Sequence, residues 1–141
     1  MSAAPAVAVA STFVWLGMVL AISFIEAPLK FRAPGVTLQV GLGIGRLVFR
    51  ALNAVEVILA MAILAALAAG SPAARVTAAI VAAVVMLVAQ LVLVRPRLTR
   101  RSDAVLAGHD APRSHAHYVY VALEAVKVIA LFVGGILLLA S

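Results

Sequence analysis

Eight side chains of this 141-residue chain place polar groups within or at the ends of its long apolar stretches: Glu26, Asn53, Glu56, Gln90, His117, Tyr120, Glu124 and Lys127. An ionisable residue at the centre of a membrane span costs about 2.5–3.5 kcal/mol on insertion scales, so such residues face a bundle interior and often mark an ion, proton or substrate path. The carboxylates of Glu26, Glu56 and Glu124, with the imidazole of His117, offer oxygen and nitrogen ligands to a hard or borderline cation; Glu56, His117 and Glu124 are the metal-ligand candidates. A buried carboxylate beside a lysine or histidine also changes charge as protons or substrate arrive. The same residues have a purely structural reading. Glu124 and Lys127, three apart, neutralise each other; Glu56 pairs with Arg50 or Lys127, and Glu26 with Lys30.

Other chemistries find less support. The chain has no cysteine, which excludes disulfides, thiolate catalysis and cysteine-held zinc or iron–sulfur centres. A di-iron bundle asks for Glu-x-x-His on two helices, but Leu59 follows Glu56 by three and Lys127 follows Glu124. Haem ligation by His117 has no second histidine facing it from another span. His109, Asp110, His115 and His117 cluster near the start of the last span, where a solvated loop is the simpler reading. No serine sits on the two polar stripes described next, so hydroxyl-nucleophile catalysis has no anchor there. No cofactor is named by these residues.

Helical geometry orders the polar groups. At 100° per residue, Arg46, Arg50, Asn53 and Glu56 share about a 120° arc, and His117, Tyr120, Glu124 and Lys127 about an 80° arc. With about 1.5 Å of rise per residue, Glu56 and Glu124 lie about 10 Å inside, Lys127 nearer the middle, and Gln90 and Glu26 shallower. The far halves, such as Val57 to Ala69 and Val128 to Leu139, carry no charge. This pattern predicts a polar cavity open at one end of a bundle and closed at the other by small-residue packing.

The elements that must position these groups follow from composition. The chain is 66% hydrophobic and 11% charged, too little polar surface to coat a soluble globule of this size. A transmembrane helix needs about 20 apolar residues, and the chain supplies that length four times. The spans are read at 5–27, stopping at Pro28; at 46–69, stopping at Gly70-Ser71-Pro72; at 74–94, stopping at Arg95-Pro96; and at 114–139. The first is a permanent span rather than a signal peptide, because its positive charge follows the apolar run instead of preceding it. The fold class is all-α, a polytopic four-helix membrane bundle and a single domain. Residues 95–113 are read as a basic cytoplasmic loop, flexible or partly helical. Residues 35–45 (GVTLQVGLGIG) either extend the second helix or lie as a re-entrant or interfacial segment; they lack the strand and spacing of a nucleotide-binding glycine loop.

Nine of the 11 basic residues border the first and third connections: Lys30, Arg32, Arg46, Arg50, Arg95, Arg97, Arg100, Arg101 and Arg113. By the positive-inside rule that face is cytoplasmic, and both termini of this inner-membrane protein lie outside. The net charge of +6 is thus an orientation signal rather than a nucleic-acid footprint. The expected partners are the lipid bilayer and further copies of the chain or a larger membrane complex, since four helices enclose little room.

Trp15-Leu16-Gly17, Phe24-Ile25-Glu26-Ala27-Pro28 with Phe31, Gly45-Arg46-Leu47-Val48-Phe49, and His117 with a polar residue seven positions later resemble the small four-helix transmembrane protein 205-like family. The resemblance spans most of the chain and implies a four-helix membrane fold; Glu124 stands where the family has an asparagine. The leading functional expectation is binding or translocation of a small cation or of a proton-coupled or amphipathic solute, with Glu56 and Glu124 as ligands, Lys127 as counter-ion, and His117 and Glu26 at the mouth. The alternatives are a membrane-embedded enzyme dependent on a metal or cofactor, and an accessory subunit whose polar residues lock the bundle.

Overall fold

The computed structural model describes residues 1–112 and 115–141. Arg113, the last basic residue of the third connection, and Ser114, where the sequence opens the fourth span, lie outside the described residues. Four helices are long and apolar enough to cross a membrane: α1 (Ala3–Lys30), α2 (Leu38–Ala69), α3 (Ala74–Leu106) and α4 (His115–Ala140). No strand occurs among the described residues. The fold is the all-α four-helix arrangement expected of an integral membrane protein. In the bundle α1 packs between α2 and α4, and α4 packs on α3; the α2–α3 seam closes chiefly where the last turns of α3 reach α2.

The helices outrun their expected bounds because two prolines do not stop them. A proline removes one backbone hydrogen bond and drives its ring into the carbonyl four residues back. In α1 the chain widens into a π-helical segment, Leu20–Glu26, two residues before Pro28, and then returns to α-helix over Ala27–Lys30. In α3 the segment Gln90–Val94 does the same two residues before Pro96, and α-helix resumes over Arg95–Leu106. A π turn carries an extra residue and relieves the clash while keeping the backbone paired, which lipid demands. The expected loop at 95–113 is therefore helical as far as Leu106. It ends in a Schellman turn: Gly108 takes φ +90°, Gly108 N donates to Val105 O and His109 N to Ala104 O.

The glycine-rich 35–45 segment resolves as the start of α2, eight residues ahead of the expected Arg46. Thr37 caps it, its hydroxyl accepting from Val40 N at 3.2 Å. Glycine disfavours helix by about 1 kcal/mol per residue, yet here the missing side chains are used. Gly41 lies under the ring of Phe31, and Gly45 leaves space that the Lys30 ammonium occupies. At 32 residues α2 is about 48 Å long, more than a hydrocarbon core of about 30 Å requires.

The apolar half of the core is built around Trp15, Val19, Ile63, Ile80, Ala83 and Leu131, all fully buried. Outward, Leu47, Ile58, Met61, Leu93, Ile129 and Phe132 are exposed, as lipid-facing side chains must be.

Candidate functional site

Each of the four helices contributes to one buried polar cluster. Lys127 of α4 is fully buried and donates to Glu56 of α2, to Gln90 Oε1 of α3 at 2.8 Å, and pairs with Glu124 Oε1 one turn earlier at 2.6 Å. Two hydrogen bonds and one further ion pair thus surround the ammonium. Trp15 Nε1 of α1 donates to Glu56 Oε1 at 2.8 Å. Gln90 Nε2 donates to Glu124 Oε1 at 3.1 Å and to the Tyr120 carbonyl at 3.3 Å. Ser23 Oγ, also on α1, donates to Glu124 Oε2 at 2.5 Å. The cluster thus holds two carboxylates around a single ammonium.

The π segments explain part of this geometry. Ser23 lies within the first and Gln90 opens the second, so the widened turns sit at the level where α1 and α3 present polar groups to α4. Such turns recur at functional positions in helices.

A cavity of about 810 Å³ lies beside the cluster, at the end of the bundle that carries the first and third connections. The end of α1, the first half of α2, the last turns of α3 and the start of α4 form its wall. Phe24, Phe31 and Phe49 supply rings; Lys30, Arg46, Arg50, Arg95 and Arg101 supply positive charge; Asp103 and Glu124 are the carboxylates. Arg46 is held by an ion pair with Asp103, and Arg101 Nε donates to the Ala111 carbonyl at 3.0 Å. Gln39 Nε2 donates to the Val105 carbonyl at 3.0 Å, tying the α3 extension to the start of α2.

The eight residues singled out by sequence fall into three groups. Asn53, His117, Tyr120 and Glu124 line the cavity. Glu56, Gln90 and Lys127 lie outside its wall, within the buried cluster, so Lys127 serves as counter-ion to both carboxylates. Glu26 stands apart, its side chain 36% exposed and 3.8 Å from Lys30. Gln90, read as shallow, is 1% exposed and at the heart of the cluster, because helix α3 continues past Arg95 and carries the mouth further along the chain. Glu124 alone among the carboxylates belongs to both the cluster and the cavity wall. Among the described residues no three His, Cys, Asp or Glu side chains converge to hold a metal ion; Glu56 and Glu124 converge on Lys127 instead.

Sequence reasoning missed Trp15, Ser23, Lys30, Phe49 and Arg95. The one available signal was spacing: Trp15, Val19 and Ser23 recur every fourth residue and so share a face of α1. Arg95 is fixed by three contacts, a 3.0 Å hydrogen bond to Tyr120 Oη and stacking of its guanidinium carbon 4.8 Å from the Tyr120 ring centre and 5.3 Å from that of Phe49. Phe49 and Tyr120 meet edge to face with centres 6.1 Å apart.

No protein-family model matches the chain, and neither a curated protein nor a solved structure does. The functional reading therefore rests on this geometry.

Proposed function

We propose that the protein is an inner-membrane protein whose cavity faces the cytoplasm and binds or translocates an amphipathic solute. The observation that carries the reading is the composition of the cavity wall, in which the rings of Phe24, Phe31 and Phe49 adjoin charged side chains and the buried Glu124. A pocket of about 810 Å³ is of the size that takes a drug-sized ligand, with apolar walls for a chain and a few polar groups for a head. A small cation is the weaker fit, because five cationic side chains on the wall face two carboxylates.

Orientation is tested by labelling. The natural chain has no cysteine, so a single introduced thiol reports without background. A thiol at Ser102→Cys, on the cavity side, reacts with a membrane-impermeant maleimide only from the cytoplasmic face, and one at Ser71→Cys only from outside. The opposite pattern overturns the orientation.

Solute binding is tested with a dansyl-labelled decyl chain added to the protein in lipid nanodiscs. Saturable binding beyond that of protein-free discs is expected, reduced about tenfold or more by Phe49→Ala, which removes a ring from the wall. Binding no greater than that of empty discs, whatever the headgroup, rules the reading out. Exchange of the same probe across proteoliposomes then separates translocation from binding.

A further inference from the structure

We infer that the polar group of the solute is an anion, a carboxylate or phosphate, received by Lys30 and Arg95, both of which lie against the Phe49 ring. This deepens the amphipathic-solute reading and rests on it. Lys30 Nζ lies 5.8 Å from the centre of the Phe49 ring and 5.6 Å from that of Phe31, and the Arg95 guanidinium carbon lies 5.3 Å from the same Phe49 ring. One ring therefore positions two positive charges contributed by two different helices, α1 and α3.

Both cations are partly buried and lightly compensated. The Lys30 side chain is 10% exposed, and its one ion-pair partner among the described residues, Glu26, stands 3.8 Å away, beyond hydrogen-bond distance. Arg95 gives one hydrogen bond to a neutral phenol, while its Nε–H is buried and meets no acceptor among the described residues. Hydrogen bonds between a charged donor and an anion are among the strong ones, so an anionic group in the cavity adds contacts that these two cations lack within the protein. Gly45 keeps the place open: a Cβ there would come within 2.8 Å of Lys30 Nζ.

Of the other cations, Arg50 on the cavity wall is exposed to solvent, and the rest named here are committed to partners. Arg46 is paired with Asp103, Arg101 with a carbonyl, and Lys127 with the buried carboxylates. A purely orienting basic fringe would place its cations in the headgroup layer with their heads in water. Lys30 and Arg95 instead turn inward on aromatic rings at the cavity wall. An anion there meets both cations, and its apolar tail has Phe24, Leu42, Leu98 and Val121 to lie against.

The test compares four dansyl-decyl probes in phosphatidylcholine nanodiscs, with carboxylate, phosphate, trimethylammonium and maltoside headgroups. The two anions should bind at least tenfold more tightly than the neutral and cationic probes. Arg95→Gln and Lys30→Gln should each erase most of that preference while leaving maltoside binding within about twofold. Emission from Trp15, the chain's single tryptophan, checks that each variant keeps the wild-type fold. Equal binding of all headgroups, or a preference that survives both variants, overturns the anion site and leaves the amphipathic reading standing. Absence of saturable binding by every probe removes both. Replacing a third of the disc lipid with phosphatidylglycerol distinguishes the sources: competition with the anionic probes identifies a bilayer lipid as the occupant, and unchanged affinity identifies a free amphiphile.

Discussion

Lys127→Met is expected to destabilise the bundle by about 3–5 kcal/mol, the cost of removing one partner from a buried ion pair. The ammonium is fully buried and answers Glu56, Glu124 and Gln90 together. Methionine matches its stem in length but leaves two carboxylates facing each other without a counter-ion. Unfolding in mixed micelles with increasing dodecyl sulfate measures the loss. The triple variant Lys127→Met, Glu56→Gln, Glu124→Gln should recover much of it, since replacing a whole buried charge group by neutral residues is often near neutral. If Lys127→Met is as stable as wild type, the cluster does not hold the bundle together. If the triple variant is no better than the single one, packing rather than charge is the cause.

Gly135→Leu is expected to cost about 1–3 kcal/mol or more, through overpacking at the opposite end of the bundle. A Cβ at Gly135 would approach the Phe13 ring to 2.7 Å, and one at the adjacent Gly134 would approach Ile80 Cδ1 to 3.0 Å. Two successive glycines thus let α4 approach α1 on one side and α3 on the other, the small-residue contact that substitutes for hydrophobic driving force in lipid. Gly17→Ala is the matched control. Nothing lies within 4 Å of its added methyl group, so that change should be neutral or mildly stabilising. The same detergent titration separates the two, and equal stability of Gly135→Leu and wild type would show that α4 is not closely packed there.

These expectations rest on different kinds of legibility. The four spans were readable because lipid imposes a length and an apolar composition on anything that crosses it. The stripes of α2 and α4 were readable because rotation per residue is constant, and Asn53, Glu56, Tyr120, Glu124 and Lys127 all turn inward as their spacing requires. The prolines were misleading. Pro28 and Pro96 disfavour helix locally, but the π turns before them keep the chain helical, and a local preference cannot reveal that bypass. The glycines of 41 and 45 were ambiguous for a related reason, since their value lies in Phe31 and Lys30, which approach them only after α1 and α2 have docked.

The site divides along the same line. The sequence by itself determined that charged groups would be buried and that one end of the bundle would be basic, because both follow from residue type and position along a helix. Only the tertiary structure decided who meets whom. It placed Trp15 against Glu56, Ser23 and Gln90 against Glu124, and one ammonium between two carboxylates 68 residues apart in sequence. It also set Lys30 and Arg95 on the rings of one cavity, where the sequence marks them as part of a basic fringe and Lys30 as a partner for Glu26. Helical periodicity gives the direction of a side chain about its own axis; the partner it finds depends on which helix packs there, and at what height.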